Sequence, residues 1–75
     1  MEKLLAILED VRPDVDFKNE KQLVGGGVLD SFDVITIVEE INQEFEIDIK
    51  PKYLTAENFN SAEAMWDMIT RLQGK

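Results

Sequence analysis

Apolar residues recur at helical spacing in two stretches before residue 46. Between residues 2 and 11 an apolar side chain follows every three or four positions, and Arg12-Pro13 comes next. Because the residue before a proline is disfavoured in the α conformation, this pattern predicts a first helix over residues 2–11. A longer stripe, at positions i, i+3, i+4, i+7 and i+11, predicts a second helix over residues 30–45. The stripe consists of Val34, Ile37, Val38, Ile41 and Phe45.

A third amphipathic stretch lies near the C-terminus. Ser61 stands where an N-cap is expected and Gly74 stands where a helix would end, so the pattern predicts a last helix between them. The apolar residues of this stretch are Ala62, Met65, Trp66, Ile69 and Leu72. Upstream of it, alternating apolar residues before a proline predict an extended link over residues 46–52. Residues 53–59 leave room for one short helical turn.

The connection between the first two helices is long and contains Gly25-Gly26-Gly27. Apolar residues are spaced along it at Val15, Phe17, Leu23, Val24, Val28 and Leu29. A loop of this length in a small domain is usually functional or disordered, and the spaced anchors favour a loop that is ordered and held against the core. The chain is therefore predicted to be all-α: a small four-helix bundle with three main helices, a short third helix and a long first loop. It is expected to form a single monomeric domain over residues 1–75, with Phe45, Phe59 and Trp66 in the core.

The composition excludes several classes of chemistry. The 75 residues include no Cys and no His, which removes a thiolate nucleophile, a Cys-based zinc site and a Ser-His-Asp triad. A domain of this size buries only about 60% of its unfolded surface, too little for a self-contained enzyme cleft. We therefore expect no catalytic residues. We also expect no metal site, because the acids in the first loop lack the spacing of a calcium-binding loop. These acids are Asp10, Asp14, Asp16 and Glu20.

The hydrophobic pattern also bears on location. The longest apolar run is a few residues, far below the ~20 that cross a bilayer, and Met1-Glu2-Lys3 leads directly into an amphipathic pattern. The sequence thus predicts no membrane insertion and a cytoplasmic protein.

Negative charge is concentrated in the middle of the chain. Sixteen acidic residues against eight basic ones give a formal charge of −8. Seven of the acids lie between Lys21 and Lys50, where no Lys or Arg occurs. This segment is predicted to repel nucleic acid and to attract basic protein surfaces. The alternative is that its acids serve solubility alone. The seven acids are expected to be uncompensated, to repel one another and to lower stability at low ionic strength.

Ser31 is the one side chain that looks chemically distinctive. In one interpretation it is the N-cap of the second helix, with its hydroxyl accepting from a first-turn N–H. In the other, Asp30 is the cap, Asp33 occupies the third helical position, and Ser31 has its hydroxyl directed outward. The second arrangement suits a serine that another enzyme modifies, since nothing in the chain is placed to activate it. The three glycines are expected to allow such an enzyme to approach closely.

The segment Leu29-Asp30-Ser31-Phe32-Asp33, together with Phe45-Glu46-Ile47-Asp48-Ile49, resembles the acyl carrier protein family. The run from Leu54 to Ser61 resembles that family's third helix and the start of its fourth, so the similarity extends over essentially the whole chain. Phe32 stands where the family usually has Leu, a feature shared with D-alanyl carrier proteins.

The resemblance implies a function as well as a fold. Ser31 would receive phosphopantetheine from coenzyme A through a phosphopantetheinyl transferase, and its thiol would carry an acyl or aminoacyl group as a thioester. Partners would be that transferase, a loading ligase and downstream transferases with basic patches. By position, the partner-binding residues would be Asp30, Phe32, Asp33, Ile35, Thr36, Glu39 and Glu40. The competing hypothesis is an unmodified acidic helical adapter that binds a basic protein.

Overall fold

The chain is all-helical in the computed structural model, which describes residues 1–74. Its helices are α1 (Glu2–Val11), α2 (Ser31–Phe45), α3 (Ala56–Phe59) and α4 (Ala62–Gln73), with a 3-10 turn at Pro51–Tyr53. No strand occurs within the described range. The predictions of an all-α fold, three main helices and a short third one are confirmed. The helix caps follow the sequence signals, since Ser61 Oγ accepts the N–H of Ala64 at 3.0 Å and Gly74 is the C-cap of α4.

The apolar faces of the helices meet in one core. α1 packs against both α2 and α4, and α3 packs against α4. Phe59 on α3 is the largest fully buried side chain and is 1% exposed. The other expected core aromatics, Phe45 and Trp66, are partly buried and contact each other edge-to-face with ring centroids 5.7 Å apart. The buried residues are Leu4, Leu8, Phe17, Leu23, Leu29, Ile37, Ile41, Ile49, Phe59, Ala62, Met65, Met68 and Ile69.

The long first loop is tied to this core by its apolar residues. Phe17, Leu23 and Leu29 are buried, and Val15, Val24 and Val28 pack against them from the surface. The prediction of an ordered, anchored loop is confirmed. The anchors fix the path of the chain as it approaches the first residue of α2.

The glycine turn within this loop has a local conformational reason. Gly26 N–H donates to the Gln22 carbonyl at 2.7 Å, and a Cβ at Gly26 would come within 2.6 Å of that oxygen. Gly27 has a φ of +74°, where only glycine is unstrained,. The turn itself therefore requires at least two of the three glycines.

The prediction of an extended link over residues 46–52 is wrong at both ends. Glu46 ends α2 in the left-handed conformation with φ 53°, and its N–H donates to the Asn42 carbonyl. Pro51 begins the 3-10 turn, because its fixed φ suits a first helical position,. Lys50, before the proline, is extended as expected, with ψ 155°,.

Glu46→Gly is expected to stabilise the protein by about 0.5–1 kcal/mol. The left-handed conformation costs a residue with a Cβ roughly 1–2 kcal/mol, and the greater freedom of glycine in the unfolded chain offsets part of the gain. Urea unfolding followed by circular dichroism measures the change. Glu46→Gln is the control, since it removes the charge and keeps the Cβ. An equal gain in both variants would assign the effect to charge at the helix C-terminus.

Candidate functional site

The start of α2 is defined by a reciprocal pair of aspartates. Asp30 is the N-cap, and its Oδ1 accepts the N–H of Asp33 at 2.9 Å. Asp33 Oδ2 in turn accepts the N–H of Asp30 at 3.3 Å. This capping box satisfies two of the N–H groups that a helix start leaves without partners. Of the two interpretations of the sequence, the one with Ser31 as the cap is therefore wrong.

Ser31 is the first residue of α2 and is exposed. Because Asp30 makes the capping contact, the Ser31 hydroxyl takes part in no hydrogen bond within residues 1–74. The backbone N–H groups of Ser31 and Phe32 are likewise unbonded in this range. A nucleophilic oxygen and two N–H donors thus lie together on the surface at the positive end of a helix dipole.

Arg12 links the end of α1 to this helix start. Its Nη1 donates to Asp33 Oδ2 at 2.5 Å and to the Val28 carbonyl at 3.3 Å. Its Nε and Nη2 donate to the two carboxylate oxygens of Asp14, each at 3.0 Å. The Asp33 side chain is only 17% exposed as a result. Arg12 joins residues that are distant in sequence, and no local pattern indicated this contact.

These contacts shift the pKa values of Arg12 and Asp14. The hydrogen bonds from Arg12 lower the pKa of Asp14, and those to Asp14 and then Asp33 raise the pKa of Arg12. Since the pKa of Asp14 is lower in the folded protein than in the unfolded chain, its contact with Arg12 contributes fully to stability at any pH above the usual aspartate pKa. That contribution is lost only as the pH falls through the lowered value. The contact is therefore intact at neutral pH.

The outward face of α2 combines apolar and polar residues. Phe32 is 80% exposed and Ile35 is 50% exposed, and with Thr36 and Glu39 they follow the i, i+3, i+4, i+7 spacing of one helix face. The Thr36 hydroxyl donates to the Phe32 carbonyl at 2.9 Å. An exposed Phe beside an exposed Ile is unusual in a chain whose other large aromatic side chains pack on the core.

Three of the expected partner-binding residues lie outside this stripe. Asp30 is exposed at the cap, next to Ser31. Asp33 faces Arg12. Glu40 lies on the flank toward α1, where it lines a cleft of about 340 Å³ between the two helices, together with Lys3, Asp10 and Glu44. The structure thus brings Phe32, Ile35, Thr36 and Glu39 together and separates Asp33 and Glu40 from them.

The acidic segment is partly neutralised by residues outside it. Asp33 pairs with Arg12, Glu44 with Lys3 at 3.7 Å, and Asp48 with Lys50 at 2.5 Å. The expectation of seven uncompensated acids is therefore wrong for three of them, because tertiary contacts and the flanking lysine supply cations. Within the acidic segment, the acids that form no ion pair with any residue of the described range are Asp30, Glu39, Glu40 and Glu46.

We expect added salt to raise the melting temperature at neutral pH, because these four acids still repel their neighbours and a Debye length of about 10 Å at 0.1 M screens them. Glu40→Gln should stabilise the protein at low salt by about 0.2–0.5 kcal/mol, since it removes the i, i+4 repulsion with Glu44. Thermal melts across a salt series measure both effects. Glu57→Gln on α3, outside the segment, is the control. A melting temperature that does not change with salt would contradict the expectation.

Asn60 is a second residue whose role the sequence pattern missed. Its Oδ1 accepts the N–H groups of Val24 at 3.0 Å and Gly25 at 2.7 Å, and its carbonyl accepts the N–H of Leu23 at 2.9 Å. A residue between α3 and α4 therefore fastens the glycine turn. An asparagine beside the N-cap Ser61 gives no local signal for a partner 35 residues away.

Asn60→Ala is expected to destabilise the protein by about 1–2 kcal/mol, because it leaves two loop N–H groups without an acceptor, one of them partly buried. Urea unfolding measures the loss. Asn60→Asp keeps an acceptor oxygen and should retain most of the stability. Asn19→Ala, which removes an exposed contact to Asp16, should have little effect. A loss in Asn19→Ala as large as in Asn60→Ala would rule out a specific role for the turn contacts.

Comparison with known proteins adds no family assignment. A scan against protein-family models found no match for this chain, and a search of curated proteins found no significant match. None of the helices in the described range is both long and apolar enough to cross a membrane. The function must therefore be inferred from the chemistry at the start of α2.

Proposed function

We propose that the protein is an acyl or aminoacyl carrier that is modified with phosphopantetheine on Ser31. The observation that carries this proposal is the capping box, which leaves an exposed serine hydroxyl unused at the first position of α2. A serine that merely began a helix would be expected to cap it. In this chain an adjacent aspartate has that role.

The attachment is a phosphoryl-type transfer from coenzyme A. The Ser31 Oγ would attack the pyrophosphate phosphorus on the pantetheine side and form a new O–P bond. The bond to the bridging oxygen would break and release the nucleotide bisphosphate, while the hydroxyl proton passes to a base of the transferase. Within residues 1–74 no side chain is hydrogen-bonded to the Ser31 hydroxyl as a base: the chain has no His, the neighbouring Asp30 carboxylate caps the helix through Oδ1, and Lys21 is paired with Glu63. A separate transferase with Mg²⁺ must therefore perform the reaction.

The residues around Ser31 suit a phosphodiester. The N–H groups of Ser31 and Phe32 would be available to its oxygens at the helix N-terminus. Asp33 is neutralised by Arg12, so Asp30 is the one carboxylate of the capping box without an ion-pair partner among residues 1–74. When bound, phosphopantetheine would supply the thiol that this cysteine-free chain lacks, for carrying a group as a thioester.

The face of α2 next to Ser31 suits transient docking. Phe32 and Ile35 offer apolar contact, and Glu39, without an ion-pair partner in the described range, offers charge. A partner with a shallow apolar pocket and a Lys/Arg rim would match this surface. Such contacts give fast, salt-sensitive association, which a carrier needs as it moves between enzymes.

The test is loading in vitro. The apo protein is incubated with coenzyme A, Mg²⁺ and a broad-specificity phosphopantetheinyl transferase, and the intact mass is measured. We expect a gain of one phosphopantetheine, and peptide mapping should place it on Ser31. Omission of coenzyme A is the control. An unchanged mass under conditions that load a known carrier would refute the proposal.

The adapter hypothesis is supported by the same exposed Phe32. It differs in predicting that partner binding is independent of modification. Pull-down of a basic partner by the unloaded protein, undiminished in Ser31→Ala and lost on reversing the charge of Glu39, would favour the adapter. Binding that requires the loaded form would favour the carrier.

A further inference from the structure

Arg12 contacts the chain on both sides of Ser31. The Val28 carbonyl lies three residues before the serine and the Asp33 carboxylate two residues after it, and Arg12 Nη1 donates to both. The Asp33 oxygen that accepts from Arg12 is also the one that accepts the Asp30 N–H. Arg12 is thus bonded directly into the capping box.

The guanidinium is itself held in place. Asp14 accepts from Nε and Nη2, so all three nitrogens of Arg12 donate. Because the guanidinium is planar and Asp14 holds two of its nitrogens, the third nitrogen, Nη1, points in one fixed direction. That direction is toward the helix start, across a partly buried contact.

We propose that Arg12 is a positioning residue for the attachment at Ser31, holding the loop and the first turn of α2 in the geometry that presents the hydroxyl. This inference rests on the proposed function. Arg12 would act in two ways. It restricts the backbone on either side of the serine, and it neutralises Asp33, which would otherwise repel the phosphate groups of coenzyme A.

Lysine cannot replace arginine in this role. An ammonium is a point charge without a planar fork, so it cannot make the bidentate contact with Asp14 and reach Asp33 and Val28 in a fixed direction. Arg12→Lys therefore keeps the positive charge at position 12 and removes the directional contacts of the guanidinium. Because misplacement of a reacting group by about 1 Å can cost on the order of a hundredfold in rate, a substantial loss is expected while net charge is unchanged.

The experiment measures initial rates of loading at varied concentrations of the apo protein, for wild type and Arg12→Lys. We expect kcat to fall about tenfold or more, with KM for the protein nearly unchanged, since Phe32, Ile35 and Glu39 remain in place. Amide hydrogen exchange at Asp30 and Asp33, whose N–H groups are bonded within the capping box, should accelerate in the variant, with Ile69 in α4 as the internal reference. The matched control is Arg71→Lys, which alters an exposed pair with Asp67 and should load normally.

The outcomes are distinguishable. Wild type that takes no phosphopantetheine overturns the proposed function, and the role of Arg12 with it. Wild type that loads while Arg12→Lys loads equally fast overturns the role of Arg12 alone, as does a rate loss that matches the unfolded fraction seen by circular dichroism. If Arg12→Lys fails to fold, Asp14→Asn decides instead. It leaves α2 untouched and removes one of the two acceptors that hold the guanidinium, so it should lower kcat by less than Arg12→Lys, and a wild-type rate would contradict the inference.

Discussion

Ser31→Ala is expected to abolish loading by phosphopantetheine and to leave the protein folded. The Ser31 hydroxyl forms no hydrogen bond within residues 1–74, and the capping box of Asp30 and Asp33 does not depend on it. Removing the oxygen therefore removes the nucleophile with little effect on the free energy of unfolding, within about 0.5 kcal/mol. Intact mass after incubation with transferase and coenzyme A gives the first result, and urea unfolding gives the second.

Ser61→Ala is the matched control, since Ser31 and Ser61 are the two serines of the chain. Ser61 caps α4 through its Oγ, so its loss should cost about 1 kcal/mol and leave loading intact. Ser31→Ala should thus lose the mass gain and keep its stability, whereas Ser61→Ala should keep the mass gain and lose stability. Mass gain that persists in Ser31→Ala would place the modification elsewhere, and a large loss of stability in that variant would show that the hydroxyl has a structural role.

Phe59→Ala is expected to destabilise the protein by about 3–5 kcal/mol. The ring is fully buried where α3 packs on α4, and its removal leaves a cavity in a core that consists of few side chains. In a domain of fewer than about 80 residues the core rarely supplies more than about 3–5 kcal/mol of net stability, so the variant should be partly unfolded at room temperature or close to it. Thermal and urea melts followed by circular dichroism measure the change.

Phe32→Ala provides the comparison for the same chemical change on the surface. Its ring is 80% exposed, so truncation should leave stability nearly unaltered and should weaken only the docking of partners. The contrast tests whether Phe59 belongs to the core and Phe32 to the exposed surface, as their burial in the structure indicates. Similar losses of stability in the two variants would show that Phe32 packs against the protein in solution.

Helix positions were largely predictable because they depend on local interactions. The spacing of Val34, Ile37 and Ile41 lies within a few residues of chain, and so do the cap signals at Ser61 and Gly74. The misassigned link over residues 46–52 shows the limit of such patterns. The left-handed Glu46 depends on how α2 ends, and a non-glycine residue there carries no signal.

The candidate site was only partly predictable, and the reason is the distance along the chain. The residue types at Asp30, Ser31 and Asp33 allowed two capping arrangements, and both were compatible with local chemistry. The choice between them appears only with the backbone geometry of the turn. The cation beside Asp33 comes from Arg12, 21 residues earlier, and the acceptor for Gly25 comes from Asn60.

The sequence alone indicated which segments are helical and where the negative charge is concentrated, because both are properties of neighbouring residues. The tertiary structure decided which acids are neutralised, what holds the glycine turn and which side chains of α2 face outward. Those features depend on contacts between segments that become neighbours only when the apolar faces of the helices are buried together.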